Sequence, residues 1–353
     1  MIDGPKRSHG VDSGCEDLLC GSPYGDTGRR RAHRGTGIGA PRPALDTATP
    51  QAPPEDPVVD TPARPSWTTP LPQLPTPAGP DVTALHKKAG GENFTVASLL
   101  LPPRIRRRLL SIYAFARLVD DIGDEAPGDR NALLDKVDRD IDRIYAGYVA
   151  TDVLWADLTV TVHECGIPRT PLDRLVQANR RDQQVKRYRT FEDLLGYCKL
   201  SANPVGHLVL HVFDAMTPER AALSDQVCSA LQVLEHLQDV AEDYRNERIY
   251  LPAEDLDRFG VKEEDLAATK ATREVRALIA FETQRTLRLL DEGASIVGTL
   301  SGLGRLAVAG YVAGGRATAA AIVNARFDVL TTTPRPRKSR TIAELARSLG
   351  GGR

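Results

Sequence analysis

The chain has 353 residues, and its 46 lysines and arginines nearly balance its 47 aspartates and glutamates, giving a formal net charge of −1. Proteins that hold nucleic acid through its phosphates usually carry a basic excess, so this balance argues against a nucleic-acid partner. The N-terminus shows no signal peptide, and five scattered cysteines argue against a disulfide framework, so we expect a cytoplasmic protein.

Composition divides the chain into two parts. Residues 1–80 contain 15 of the 25 prolines and 10 of the 29 glycines. Segments of this composition cannot bury enough apolar surface to offset the entropy lost on ordering, so we predict a disordered tail over residues 1–84. Cys15 and Cys20 lie in this tail, but no second pair of metal ligands follows them.

From about residue 85 the sequence pattern is helical. Thr190 begins the segment Thr-Phe-Glu-Asp, which predicts a capping box, and Thr217 followed by proline predicts a second helix start. Because no strand-like alternation interrupts the pattern, we predict an all-α domain over residues 85–340 and a C-terminal tail over residues 341–353. Apolar residues recur at helical spacing in residues 105–122, 154–165, 220–242 and 273–298.

One predicted helix carries a stripe of polar residues. Tyr113, Arg117, Asp120 and Asp124 follow one another at spacings of four, three and four residues. This spacing places all four on one face of a helix. Apolar neighbours such as Phe115 adjoin the stripe, so we expect it to face the interior or a cleft.

A second predicted helix repeats this arrangement. Gln232, Glu235, Asp239 and Asp243 advance by three, four and four residues within an otherwise apolar segment. Again the residues share one face, and three of the four are acidic. The pair of stripes therefore predicts two carboxylate-rich faces within one helical domain.

Such stripes need a compensating charge. Carboxylates at this spacing repel one another, and partial burial adds to the free-energy cost. Mg²⁺ fits best as the compensating cation, because it prefers oxygen ligands and bridges to substrate phosphates. The alternative is that both stripes are solvated faces with ordinary ion pairs to Arg117, Arg245 and Arg248.

Three segments stand in a fixed order along the chain. They read YAFARLVDDIGDE at residues 113–125, YCKLSANPVG at residues 197–206 and QVLEHLQDVAEDYRNERIYLP at residues 232–252. Together they resemble the squalene/phytoene synthase family, and the resemblance extends over residues 91–340. It implies the all-α isoprenoid synthase fold, with a central cavity whose mouth is lined by both acidic segments and Mg²⁺.

The resemblance also implies roles for individual residues. Arg117 and Arg248 would contact the diphosphate as bidentate donors. Tyr113, Tyr197 and Tyr250 would line the cavity, where their π-faces can stabilise a carbocation, although each is also compatible with a packed core position. The metal ligands would be Asp120, Asp121, Asp124, Glu235, Asp239 and Asp243.

Within the family, the sequence is most similar to the bacterial hydroxysqualene synthases. Glu235 and Gln238 stand where the condensing enzymes usually carry Asn and Arg, and Gln232 completes the site. Gln238 in place of Arg removes a cation, and Glu235 in place of Asn adds an anion. These two differences suit one bound diphosphate better than two. The implied reaction is the Mg²⁺-dependent conversion of presqualene diphosphate and water into hydroxysqualene and diphosphate, in squalene and hopanoid biosynthesis.

Two other functions stay open. The first is the head-to-head condensation of two prenyl diphosphates, which would make the protein a squalene or phytoene synthase. The second is a non-catalytic helical scaffold that retains the fold and works with other enzymes of the squalene pathway. The condensing reaction differs from the preferred reaction in its substrate. The scaffold differs in that its function would not need the acidic residues.

Several remaining features bear on packing and location. His236 lies about 100° around the helix from the acidic stripe, so we expect it to pack rather than to react. The Gly/Ala-rich run at 302–321 is interrupted by Arg305 and Arg316, so we predict no membrane span. Because substrate and product carry long hydrocarbon chains, we expect peripheral contact with the inner face of the membrane. The basic segment 335–340 is a candidate for that contact or for diphosphate binding.

Overall fold

The computed structural model describes residues 101–148 and 150–350 and builds them from helices. No strand occurs in this part of the chain, where one isolated parallel bridge joins Arg187 to Ile249. The all-α prediction is therefore confirmed. The predicted tail over residues 1–84, with Cys15 and Cys20, lies outside the described residues.

Thirteen α-helices and one short 3₁₀-helix at Glu263–Ala267 make up the described part of the chain. All four segments with apolar periodicity are helical, although two of them are interrupted. In chain order the α-helices are α1 (Pro103–Asp124), α2 (Arg130–Tyr145), α3 (Val153–Cys165), α4 (Thr170–Asp182), α5 (Phe191–Ser201), α6 (Asn203–Val212), α7 (Pro218–Gln238), α8 (Val240–Arg245), α9 (Ala253–Phe259), α10 (Arg273–Gly293), α11 (Ile296–Thr299), α12 (Gly302–Asn324) and α13 (Lys338–Gly350).

Both predicted helix starts are present. The Thr190 side chain accepts a hydrogen bond from the backbone amide of Asp193 at 3.1 Å, and Asp193 accepts one from the Thr190 amide at 3.0 Å. This reciprocal pair is a capping box. At the start of α7, Thr217 accepts from the amide of Arg220 at 3.2 Å, with Pro218 at the first helical position.

Two of the breaks between helices shape the site. α5 and α6 meet at Ala202, because Pro204 cannot continue the hydrogen-bond ladder of α5. The predicted helix over residues 220–242 divides into α7 and α8 at Asp239, whose backbone (φ −104°, ψ 16°) leaves the helical region. The second acidic stripe therefore turns a corner instead of following one straight helix.

Apolar packing forms two clusters. One cluster is formed by residues of α1, α2, α3, α4 and α6 around the fully buried Phe115 and Leu158. The larger one surrounds α7, which packs against α10 and α12. Gly315 lets α12 approach closely, since a Cβ atom there would lie 2.8 Å from a methyl group of Leu231. The small residues of the Gly/Ala-rich run thus serve packing on α7.

α12 is the one described helix that is long and apolar enough to cross a membrane. The sequence expectation missed this because Arg305 and Arg316 interrupt the apolar run. However, 61% of its most apolar 18-residue window is buried inside the protein, as expected for a core helix. Arg305 donates to the backbone oxygen of Leu349, and Arg316 forms a 2.6 Å ion pair with Asp291.

The C-terminal residues continue the fold. α13 packs along α12, and Leu345 and Leu349 contact the larger apolar cluster. Glu344 is buried on this helix between Arg340 and Arg347, at 2.8 and 2.6 Å. The predicted domain boundary at residue 340 consequently falls inside a packed helix.

Candidate active site

A cavity lies among α1, α4, α5, α6, α7, α11 and α12. Its empty space, including the open mouth, is about 1050 Å³. Ser201 and Ala202 line it as small residues, and Asp120 and Glu235 bring carboxylates to it. Most of the other lining side chains are apolar, among them Leu175, Val205, Val209, Leu210 and Val308.

The carboxylate of Asp120 is in an unusual environment. It is exposed toward the cavity, yet the surrounding protein removes enough water to raise its pKa to about 6. The nearby charge of Asp124 acts in the same direction. Asn179, on α4, opposes the shift because its amide donates a 3.0 Å hydrogen bond to Asp120. The site therefore holds a carboxylate on which negative charge is costly.

The rest of the first stripe is occupied by an ion-pair network. Arg117 lies 2.8 Å from Asp121 and 3.7 Å from Glu125, nitrogen to oxygen. Tyr113 is half-buried one turn earlier and is not among the cavity-lining residues. In the first stripe, Arg117 is thus engaged in an ordinary ion pair with Asp121, whereas Asp120 faces the cavity.

Arg248 connects the two acidic segments. Its guanidinium donates to Asp124 at 2.6 Å, which joins the end of α1 to the loop that follows α8. The same loop is fixed to the segment that follows α4, because the amide of Ile249 donates to the carbonyl of Lys186 at 3.0 Å. Arg245, by contrast, donates to the carbonyl of Ala241 and pairs with no acid among the described residues.

The second acidic segment is covered by the chain that precedes α13. Gln238 donates its side-chain amide to the carbonyl of Pro334. Asp239 is half-buried, and its pKa is raised by burial and by the charges of Asp243 and Glu242. The positive charge of Arg335 acts in the opposite sense. Position 238 therefore contributes no cation, and Arg335 contributes one from elsewhere in the chain.

Aromatic rings stack beneath this segment. His236 lies flat on Tyr250, with ring centroids 3.6 Å apart and a 10° angle between planes. Tyr197 lies 5.8 Å from Tyr250, and Tyr188 lies within 6 Å of both tyrosines. Of these rings, Tyr197 lines the cavity. The packing role expected of His236 agrees with its stacking, but its Nδ1 also lies 3.6 Å from Asp243.

Tyr197 has a buried partner. Its hydroxyl donates to Oδ2 of Asp182 at 2.6 Å, and Asp182 is 6% exposed. Burial raises the pKa of Asp182, and the Tyr197 hydrogen bond and the Arg248 charge oppose the rise. The other carboxylate oxygen of Asp182 has no hydrogen-bond donor within the described residues.

The predicted ligands suit a cation that also binds substrate. No three His, Cys, Asp or Glu residues in the described part of the chain lie together as a metal cage. The donors are all carboxylate oxygens, and Oδ2 of Asp243 is buried without a hydrogen-bond donor. Burial and like charges make the ionised forms of Asp120 and Asp239 costly. Such a set fits Mg²⁺, which takes few carboxylates and completes its shell with phosphate oxygens and water.

Some of the predicted site residues line the cavity, and the others do not. Asn179 and Asp182 are polar residues that sequence reasoning missed. They stand three residues apart on α4, a helical spacing of the same kind as in the two acidic stripes, and this spacing is the sequence signal for them. The predicted residues that line the cavity are Asp120, Tyr197, Gln232 and Glu235.

Comparison with known proteins identifies the family. Residues 87–341 match the model of the squalene/phytoene synthase family. A hydroxysqualene synthase of Rhodopseudomonas palustris is 37% identical over 204 residues, which are 57% of this chain and 69% of that protein. A phytoene synthase of Mycobacterium tuberculosis is 28% identical over 221 residues, covering 61% of this chain and 72% of the relative.

A solved structure agrees with these matches. The crystal structure of squalene synthase HpnC from Alicyclobacillus acidocaldarius superposes with a TM-score of 0.65 at 41% identity. The superposition covers 70% of this chain and 94% of the other. The fold is thus the all-helical isoprenoid synthase type, as the sequence resemblance implied. The chain belongs to the squalene/phytoene synthase family.

Proposed function

We propose that the protein converts presqualene diphosphate and water into hydroxysqualene and diphosphate with Mg²⁺. The observation that carries the proposal is one mostly apolar cavity reached by carboxylates from both acidic helices, Asp120 on α1 and Glu235 on α7. A cavity with a mostly apolar wall suits the hydrocarbon part of the substrate, and the carboxylates suit a cation on its diphosphate.

The charges around the second segment support a single diphosphate. Gln238 gives its side-chain amide to the Pro334 carbonyl, so it brings no positive charge. Glu235 adds a carboxylate at the cavity wall. Arg335 supplies positive charge near Asp239, whereas Arg248 is bound to Asp124. A second acidic segment with a glutamine at position 238 and a carboxylate at position 235 suits one bound diphosphate better than two.

The chain's own groups have distinct tasks in this reaction. When bound, Mg²⁺ would neutralise the charge that develops on the departing diphosphate. Arg117 is held by Asp121, and Arg248 is held by Asp124, so both guanidiniums are oriented before substrate arrives. The apolar wall keeps bulk water from the carbocation, and the Tyr197 ring offers it a π-face. The groups proposed to hold the metal are Asp120, Asp124, Asp239 and Asp243, with Asp121 and Glu235 in support.

Two incubations of the full chain with Mg²⁺ test the proposal. With presqualene diphosphate we expect hydroxysqualene and free diphosphate, identified by gas chromatography and mass spectrometry. With farnesyl diphosphate alone we expect no coupled C30 product. Coupling of farnesyl diphosphate, without conversion of presqualene diphosphate, would instead support the condensing reaction. That rival has support from the phytoene synthase relative.

We further propose that the protein contacts an anionic membrane surface through its C-terminal basic segment. Arg335, Arg337, Lys338 and Arg340 are all exposed, and Ile342 on the following turn is 62% exposed. A cluster of cations beside an exposed apolar side chain is the composition that binds anionic headgroups. Because this segment also covers the second acidic region, contact there would place the cavity close to the lipid.

Vesicle sedimentation tests this contact. The full chain should bind phosphatidylglycerol vesicles more strongly than phosphatidylcholine vesicles, and salt should weaken the binding. Replacing both Arg337 and Lys338 with Glu should weaken binding roughly tenfold or more. The same charge change at the exposed Lys270 and Arg288 is the matched control and should have a smaller effect. Equal losses in the two variants would refute the assignment of this segment.

A further inference from the structure

Asp182 is a buried acid bound to Tyr197 of the cavity wall, and the roles above leave it without a task. It is 6% exposed and does not itself line the cavity. Burial of a carboxylate is costly unless its oxygens are paired. One oxygen accepts from Tyr197 at 2.6 Å, while the other has no hydrogen-bond donor among the described residues. The carboxylate of Asp182 is thus buried at a cost in free energy, directly behind Tyr197 of the cavity wall.

The hydrogen bond to Asp182 determines whether the Tyr197 hydroxyl donates or accepts a hydrogen bond toward the cavity. A tyrosine hydroxyl has one hydrogen to donate and lone pairs that accept. Asp182 takes the hydrogen, so the oxygen of Tyr197 is left as an acceptor. A water molecule on that oxygen has to donate one of its own hydrogens. Its lone pairs then remain free for an electron-poor carbon.

Several other polar groups of the wall have partners or tasks of their own. Asn179 uses its amide on Asp120, and the side-chain amide of Gln232 contacts His236. Ser201, one turn after Tyr197, donates to the Tyr197 carbonyl at 3.4 Å and is the nearest rival as an acceptor. Asp120 and Glu235 are acceptors too, but under the proposed function they serve the cation.

We infer that Asp182 is a positioning residue, which makes Tyr197 the acceptor that orients the water captured by the carbocation. This inference rests on the proposed function. A lone pair of the water forms the C–O bond to the cationic carbon, from which diphosphate has already departed. The resulting oxonium passes one proton to the oxygen of Tyr197, and the hydroxyl proton of Tyr197 passes to Asp182. The products are neutral hydroxysqualene and one proton, which Asp182 later releases to solvent.

Product partition tests this role, because a merely structural role would lower all products together. The full chain and its variants receive presqualene diphosphate and Mg²⁺, and both diphosphate release and the distribution of C30 products are measured. In Tyr197→Phe and in Asp182→Asn, the ratio of hydroxysqualene to other C30 products should fall about tenfold. Diphosphate release should fall less than that ratio.

The two positions should act as one unit. Tyr197→Phe combined with Asp182→Asn should be no worse in product ratio than Tyr197→Phe alone. In Tyr197→Phe the buried carboxylate of Asp182 loses its hydrogen-bond donor, which could prevent folding. The double variant has no charge at position 182, so it avoids this cost. The matched control is Tyr145→Phe, which loses a hydroxyl that donates to the Ile167 carbonyl away from the cavity. Its product ratio should be unchanged.

Other outcomes are equally informative. An unchanged product ratio in both single variants would overturn the role of Asp182 and Tyr197 but leave the proposed function intact. A changed ratio in Ser201→Ala alone would overturn it in favour of Ser201. If the unmodified chain forms no hydroxysqualene from presqualene diphosphate, the proposed function fails first, and this inference fails with it.

Discussion

Replacing Asp120 with Asn should abolish function but stabilise the metal-free protein. The pKa of Asp120 is raised from an ordinary 3.8 to about 6, chiefly by burial. A shift of about two units corresponds to about 3 kcal/mol. Because Asp120 is exposed toward the cavity, water screens part of this cost. We therefore expect a gain of about 1–2 kcal/mol, and Asn can still accept from Asn179.

The sign of the pH dependence follows from the raised pKa. Below pH 3.8 the Asp120 carboxyl is protonated in both folded and unfolded chains, so the substitution changes little. Between 3.8 and about 6 the unfolded chain ionises first, and the cost of the folded carboxylate grows with pH. Above about pH 6 the cost is complete, so the advantage of Asp120→Asn should be largest at pH 7 to 8.

Thermal unfolding of the full chain in a chelator, between pH 4.5 and 8, measures this difference. A gain of 1–2 kcal/mol predicts a rise in Tm of roughly 2–8 °C at pH 8 and about a third of that rise at pH 4.5. Asp257→Asn is the control, because this exposed side chain has no ion pair or hydrogen bond within the described residues. A variant no more stable than the unmodified chain at pH 8 would refute the view that Asp120 carries uncompensated charge.

Three further outcomes are expected. Asp120→Ala and Asp239→Ala should each lower turnover of presqualene diphosphate on the order of 100-fold or more, whereas a non-catalytic scaffold predicts unchanged pathway output in cells. Gly123→Ala should lower both turnover and Tm, because the added Cβ would lie 2.0 Å from the side-chain oxygen of Asn179 and displace it from Asp120; unchanged kinetics would contradict this contact. Removal of residues 1–84 should leave kcat/KM within about twofold, and a loss of catalysis would show that this segment is needed.

Local features of the site could be predicted from sequence, because helical spacing fixes which side chains share a face. The two acidic stripes and the Thr190 capping box are of this kind. Contacts between distant segments could not be predicted. Asn179 meets Asp120 across 59 residues, and Arg248 meets Asp124 across 124. Such pairs depend on how helices pack, which spacing along one helix does not determine.

The alternative of ordinary ion pairs describes part of the site correctly. Arg117 does pair with Asp121, and Arg248 does pair with Asp124. It does not account for Asp120, which faces the cavity and whose ionised form the surroundings disfavour. The break at Asp239 was equally invisible in sequence, because the apolar periodicity continues across it.

The most direct test of the proposed function is to supply the full chain with presqualene diphosphate and Mg²⁺ in water enriched in ¹⁸O. We expect hydroxysqualene that carries one ¹⁸O atom in its hydroxyl group, together with one diphosphate for each molecule formed. Recovery of unchanged presqualene diphosphate, or of C30 products without the label, would contradict it.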